Sequence, residues 1–128
     1  MAKRKNQELH DRMVHGLLEY LEHNGFADIE ADVVDYDAPS KIRWEDTTEG
    51  HIPDATAVKD GVAYIFEVET ADSIAITDTT RQWKLFDEYA RRCGKAFVVA
   101  VPLGCAGEAR EQLDRLDIGA ALWEIEIP

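Results

Sequence analysis

The chain has 128 residues, of which 45% are apolar and 31% are charged, enough for one domain with its own core and too few for two. Its formal net charge of -12 at pH 7 excludes a broad basic surface for nucleic acid or for an anionic membrane. The longest apolar run, residues 96–103, is too short to cross a bilayer.

The N-terminus and the cysteines indicate where the chain resides. Residues 1–6 are basic and have no apolar stretch behind them, so we expect a flexible basic arm and not a signal peptide. Cys93 and Cys105 lack the paired spacing of a disulfide framework or of a structural zinc site. These features predict a single cytoplasmic domain over residues 1–128 with free thiols.

The first third of the chain predicts a helix, a strand and a polar loop. Residues 7–24 carry apolar side chains at helical spacing, and Gly25 suits the left-handed residue that ends a helix. The apolar positions are Leu9, Met13, Val14, Leu17, Leu18 and Leu21, with His10 beside them. Residues 28–36 alternate between apolar and polar, which predicts a strand with one wet face. Residues 37–53 are polar and irregular, with a short extended piece at 41–44.

The remainder predicts a hairpin followed by alternating helices and strands. Asp60-Gly61 favours a tight turn between strands 55–59 and 62–68. A second helix should run from Thr77 to about Cys93, with a cap among residues 77–79 and Cys93 on its apolar side. Residues 96–101 form a buried strand, 107–116 a third helix and 120–127 a last strand. The order α-β-β-β-α-β-α-β predicts an α/β fold in which a mixed sheet, antiparallel in front and parallel behind, is flanked by helices.

The hairpin register brings three acidic residues to one place. With Asp60-Gly61 as the turn, Lys59 pairs with Val62, and counting on places Asp54 opposite Glu67 on a shared face. Glu69 points the same way because side chains alternate along a strand. The sequence therefore predicts three carboxyl groups at the open end of the hairpin.

Opposed like charges destabilise a sheet, and two arrangements would relieve them. One carboxyl group keeps its proton, or a divalent cation lies among the oxygens; magnesium commonly uses one or two carboxylates plus water and phosphate oxygens. Acids at strand ends are also common as solvated surface residues, and a bulge at the turn would shift the register by one residue. Both alternatives stay open at this level.

The segments His51-Ile52-Pro53-Asp54 and Glu67-Val68-Glu69 resemble the signature of the PD-(D/E)XK nuclease-like superfamily, which includes restriction enzymes, junction resolvases and repair nucleases. The resemblance implies a restriction-endonuclease-like α-β-β-β-α-β core over residues 7–102, followed by a C-terminal α-β extension. It also implies that Asp54 and Glu67 bind Mg²⁺ or Mn²⁺.

Glu69 stands where that family usually has lysine. The resemblance implies a role for Glu69 in the metal site or as a base toward water, or else an altered or lost activity. Related nucleases often place polar helix residues near the metal, so Gln82 and Lys84 are further candidates for the catalytic site. A solvated helix face is the alternative for both.

The resemblance implies a metal-dependent phosphodiesterase that cleaves DNA, with a homodimer or a protein partner supplying further surface. Five basic residues form a strip that could contact phosphates, although a solvated helix face accounts for them equally. They are Arg81, Lys84, Arg91, Arg92 and Lys95. The absent lysine and the net charge favour one alternative, a binding or assembly module with a degraded site. A component of a larger nuclease or mobile-element machine, active only in the assembly, is a further alternative.

Overall fold

The computed structural model describes residues 7–44 and 47–126, so the predicted basic arm at residues 1–6 lies outside the described residues. The elements in chain order are α1 (Gln7–His23), β1 (Ala27–Ala31), β2 (Ile42–Arg43), β3 (Gly50–His51), β4 (Ala55–Lys59), β5 (Val62–Val68), α2 (Thr77–Cys93), β6 (Ala96–Pro102), α3 (Ala106–Arg115) and β7 (Ala121–Ile125). Within these ranges, none of the helices has both the length and the apolar character that a membrane crossing requires.

The main sheet has five strands in the order β1-β4-β5-β6-β7. Strands β1, β4 and β5 pair antiparallel, whereas β5, β6 and β7 pair parallel. Strands β2 and β3 form a separate antiparallel ribbon. The predicted mixed α/β architecture, antiparallel in front and parallel behind, is confirmed.

Helices cover both faces of the sheet, and each face has its own core. Helix α1 packs on one face over Ala55, Phe66, Val68 and Val98. Helices α2 and α3 pack on the other face, where the core includes Ile65 and Val99. Strands β5 and β6 therefore carry apolar side chains on both faces, as expected for central strands beneath two helix layers.

The hairpin between β4 and β5 has the predicted turn and register. Asp60 and Gly61 have φ values of 52° and 78°, as a tight turn of the primed type requires at both central positions. The pairs run from Lys59–Val62 at the turn to Ala55–Phe66 at the open end. No bulge shifts the count, so Asp54 follows in register opposite Glu67.

Three local predictions are wrong in detail, and the predicted third helix and last strand are present. The strand predicted over residues 28–36 ends at Ala31, because the chain turns through Asp35 at φ 76°. Helix α2 has Ile76 at its N-cap with no side-chain cap, so residues 77–79 lie inside the helix. Cys93 is exposed and does not belong to the apolar side of α2. Helix α3 and strand β7 begin and end within two residues of their predicted bounds, and Ile127 lies outside the described residues.

Candidate metal centre

Asp54 and Glu67 hold each other in place across the open end of the hairpin. The backbone N–H of Asp54 donates to Oε1 of Glu67 at 3.1 Å, and the backbone N–H of Val68 donates to Oδ2 of Asp54 at 2.7 Å. Each side chain thus accepts a hydrogen bond from the opposite strand, just beyond the last formal pair, Ala55–Phe66. This exchange brings the two carboxyl groups to one end of the sheet.

The carboxyl groups of Asp54 and Glu67 are largely shielded from solvent. Glu67 is 2% exposed, and the side chain of Asp54 is 12% exposed. An ionised carboxyl group offers about four lone-pair directions, so one hydrogen bond from an N–H leaves it able to bind another group. The pair therefore has the donor chemistry that magnesium requires from a protein.

Helix α1 contributes His10 to this end of the sheet. His10 is 5% exposed, and its Nε2 lies 3.3 Å from Oδ1 of Asp54. Its burial follows from its place on the apolar side of α1, between Leu9 and Met13 in the helix that covers β4 and β5. The imidazole therefore lies beside Oδ1 of Asp54, whereas the backbone N–H of Val68 donates to Oδ2.

Glu69 is held differently from the pair. It is fully buried, and its Oε1 accepts a hydrogen bond of 2.6 Å from the hydroxyl of Ser73, while its Oε2 accepts one of 3.3 Å from the indole N–H of Trp83. Both donors come from the segment that connects β5 to α2 and from α2 itself. The carboxyl group is therefore directed into the core on the α2 side.

The loop around Glu69 forms a buried polar cluster. The Ser73 hydroxyl that donates to Glu69 also accepts a hydrogen bond of 3.1 Å from the backbone N–H of Thr70. The Thr70 hydroxyl donates to Oδ1 of Asp72 at 2.6 Å. Thr70 and Ser73 are both buried, so these bonds lie where water competes little for them. Glu69 consequently organises the turn by which the chain leaves β5.

A metal site with three protein ligands is not assembled in the described part of the chain. No group of three or more histidine, cysteine, aspartate or glutamate side chains there could hold a metal ion. The arrangement of Asp54 and Glu67 suits a cation that takes one or two carboxylates and completes its coordination with water or phosphate oxygens. The prediction that Glu69 is a third ligand stays a prediction.

The two further candidates on α2, Gln82 and Lys84, differ in burial and contacts. Gln82 is buried, and its Nε2 lies 3.5 Å from Nδ1 of His51 on β3, while Lys84 is exposed. Burial lowers the pKa of His51 below its ordinary value of 6.5, because a desolvated imidazole resists protonation. Nearby Lys41 lowers this pKa further, and Asp78 opposes the change. Gln82 therefore joins the β2–β3 ribbon to α2.

Most of the predicted basic strip is neutralised by neighbouring groups. Arg81 pairs with Glu49, Arg91 with Asp87 and Arg92 with Glu88, and the Lys95 amine donates to the hydroxyl of Tyr89 at 3.2 Å. Such exposed pairs are weak, so a phosphate could replace the three carboxylates, and the Tyr89 hydroxyl beside Lys95 carries no charge.

Sequence reasoning did not identify the residues that hold the acidic groups. His10 was recognisable only as a polar residue in an apolar helix face, and nothing in the sequence connected it with Asp54. Ser73 and Trp83 carry no periodic signal that points to Glu69. A buried acid followed within a few residues by serine and tryptophan is a weak signal, because it depends on how the loop folds.

Comparison of the chain with protein-family models, with curated proteins and with solved structures finds no match. The resemblance to PD-(D/E)XK nucleases therefore rests on the residues of the hairpin and on the order of the elements. The geometry of Asp54 and Glu67 carries the functional interpretation that follows.

Proposed function

We propose that the protein is a metal-dependent phosphodiesterase acting on DNA, with Asp54 and Glu67 as the protein ligands of a Mg²⁺ or Mn²⁺ ion. The observation that carries this proposal is the exchange of hydrogen bonds that places the two carboxyl groups together at the open end of β4 and β5. The order α1, β1, β4, β5, α2, β6 supports it, because it matches the core that the family resemblance implies.

The donor set fits a hard divalent cation. Asp54 and Glu67 supply oxygen ligands only, and the backbone N–H bonds restrict their motion before a cation arrives. When bound, the ion would polarise the scissile phosphate and make a coordinated water more acidic. Asp54 and Glu67 would hold the ion at the end of the sheet, where Nε2 of His10 lies 3.3 Å from Oδ1 of Asp54.

Glu69 has a positioning role in this proposal. Its two oxygens are bound by Ser73 and Trp83 inside the core, so it sets the path from β5 into α2. The lysine that is usual in that family would place an ammonium group against the Trp83 N–H. Both groups can only donate hydrogen bonds, so neither would satisfy the other. Glu69 acts on the site through the backbone that follows Glu67 and Val68.

A protein-binding or assembly module is the second candidate. It is favoured by the enclosed position of Glu69 and by the pairing of the basic strip with neighbouring acids. On this interpretation the Asp54–Glu67 pair is a structural remnant that joins the two strands. The two candidates differ in whether the pair binds a cation and whether DNA is cut.

A cleavage assay on supercoiled, linear and branched DNA in Mg²⁺ or Mn²⁺ tests the proposal. We expect cleavage by the native chain and a loss of about a hundredfold or more in Asp54→Asn, because the metal supplies several kcal/mol of transition-state stabilisation. Glu108→Gln, an exposed acid of α3, is the matched control and should cleave normally. Absence of cleavage on all substrates would favour the second candidate, whereas full activity in a folded Asp54→Asn protein would overturn the assignment of Asp54 as a metal ligand.

A further inference from the structure

The two edges of the sheet differ in how they resist further pairing. Strand β1 at one edge carries a register irregularity between Ala27 and Glu30, and Asp28 there has φ 52°. Strand β7 at the other edge pairs with β6 in unbroken register through five residues. Bulges and inward-pointing charges keep natural sheet edges from pairing with further strands, and β7 has no bulge.

Strand β7 also borders an apolar groove. The groove has a volume of about 490 Å³ and lies between α1 and β7, lined by Gly16, Leu17, Tyr20, Trp123, Glu124, Ile125 and Glu126. Tyr20 is 51% exposed, although its ring contacts that of Trp123 edge-on at 5.6 Å between centroids. Among residues 7–44 and 47–126, β7 pairs only with β6, so its outer edge faces outward beside this groove.

The two faces of β7 carry different chemistry. Trp123 and Ile125 pack with the core on the α1 side, and Glu124 between them alternates onto the opposite face, where it accepts a hydrogen bond of 2.9 Å from the backbone N–H of Gly104. Glu126 follows the end of β7 and is exposed. A strand added along this edge would place its alternate side chains beside apolar groups on one face and beside carboxylates on the other. The chemistry therefore selects a segment in which apolar and basic residues alternate.

The edge strands of a second copy of this chain do not meet that requirement, and its alternating stretch Lys41-Ile42-Arg43-Trp44 is already paired with β3 and has Ile42 buried. Its edge strands, Ala27–Ala31 and Ala121–Ile125, contain no lysine or arginine, and each copy carries a net charge of -12. Pairing between copies would bring acids together without a cation to offset them. Charge complementarity points to a different and basic partner.

We propose that the outer edge of β7 and the adjoining groove bind an extended segment of a partner protein in which lysine or arginine alternates with apolar residues. The segment adds as a sixth strand, its backbone pairing with β7, its apolar side chains entering the groove and its cations lying beside Glu124 and Glu126. This mode combines main-chain hydrogen bonds for affinity with alternate side chains for selectivity.

A capped peptide of strictly alternating lysine and valine is the probe, with binding followed by calorimetry on the whole chain. We expect the affinity to fall about tenfold, equivalent to about 1.4 kcal/mol, in Glu124→Lys/Glu126→Lys. Gly16→Leu should give a similar loss, because a Cβ at Gly16 lies 3.8 Å from Ile125, an ordinary contact that directs a larger side chain into the groove. The same peptide methylated on alternate backbone nitrogens should not bind.

The matched control is Asp28→Lys/Glu30→Lys, the same charge change on β1, which should leave the affinity unchanged. If the other variants do not fold, peptide affinity can still be measured with Glu126→Lys alone, because this change is at an exposed residue. No binding at millimolar peptide, equal binding of the methylated peptide, or an equal loss in the β1 variant would overturn the proposal. Sedimentation that shows a dimer through β7 which the peptide does not disrupt would also overturn it, in favour of a second copy.

Discussion

Glu67 and Glu69 are separated by one residue and face the same side of the sheet, but they are stabilised in different ways. Glu67 accepts its hydrogen bond from the backbone of Asp54, at the open end of the hairpin. Glu69 accepts its bonds from the side chains of Ser73 and Trp83, inside the core. Glu67 therefore lies beside a second carboxyl group, that of Asp54, whereas Glu69 is enclosed by side-chain hydrogen-bond donors.

This difference separates two uses of a buried acid. A pair of like charges gains from a cation that joins them, and this favours a ligand site at Asp54 and Glu67. A single acid surrounded by hydrogen-bond donors is already satisfied and stabilises the fold. Substitutions at the two positions should therefore change stability in opposite directions.

The largest effect is expected when the family's lysine is restored at the enclosed position. Glu69→Lys should lower the free energy of unfolding by about 3–5 kcal/mol, because it buries an ammonium group against the Trp83 N–H. Urea unfolding measures the change, and Glu111→Lys on exposed α3 surface is the control, expected within about 0.5 kcal/mol of the native chain. Native stability in Glu69→Lys would mean that this pocket accepts lysine.

A smaller loss is expected for Glu69→Gln. The amide keeps one oxygen for a donor, but its NH₂ group faces the other donor and leaves a buried bond unmade. The free energy of unfolding should fall by about 1–3 kcal/mol. If Glu69 positions the loop and does not bind the ion, as proposed, chemical denaturation with and without Mn²⁺ should show the same loss. A loss that appears only with metal would instead place Glu69 in the metal site.

The same change at Glu67 should have the opposite sign in metal-free protein. Glu67→Gln retains an oxygen for the Asp54 N–H and removes the repulsion between paired acids. It should raise the free energy of unfolding by up to about 1 kcal/mol in a chelator. In Mn²⁺ the native chain should gain stability and the variant should not. A clear destabilisation without metal would show that the carboxyl group of Glu67 is itself a structural element.

The smallest effect concerns pH and His51, which belongs to the β2–β3 ribbon and to neither acidic group. Its pKa in the folded chain lies below the ordinary 6.5, so the unfolded chain binds the proton first as the pH falls. The contribution of neutral His51 to the free energy of unfolding is complete above pH 6.5. It declines as the pH falls toward the folded-state pKa of His51. His51→Gln should flatten this decline in urea unfolding at a series of pH values. An unchanged slope would contradict the assigned direction.

The sheet and the acidic pair could be predicted because local signals determine them. Asp60-Gly61 specifies a two-residue turn, and the strict alternation of strands carries that register to Asp54 and Glu67. The apolar run of β6 indicates a central strand without reference to its partners. The alternation that extended β1 to residue 36 was misleading, because Asp35 turns the chain and alternation does not report a turn.

The surroundings of the acids could not be predicted because they depend on tertiary contacts. His10 reaches Asp54 only after α1 docks on β4 and β5. Ser73 and Trp83 meet Glu69 only when the loop after β5 turns back and α2 packs on the sheet. Alternation predicted that Glu69 shares a face with Glu67, but the face of a strand does not determine which neighbours a side chain has.

Calorimetric titration of the metal-free chain with Mn²⁺ tests most directly whether Asp54 and Glu67 bind the ion while Glu69 does not. We predict binding to the native chain and to Glu69→Gln, and loss of binding in Asp54→Asn and Glu67→Gln, with each variant shown to be folded. Absence of binding by the native chain at millimolar Mn²⁺, or binding that persists in Asp54→Asn, would contradict a metal site at the open end of the hairpin.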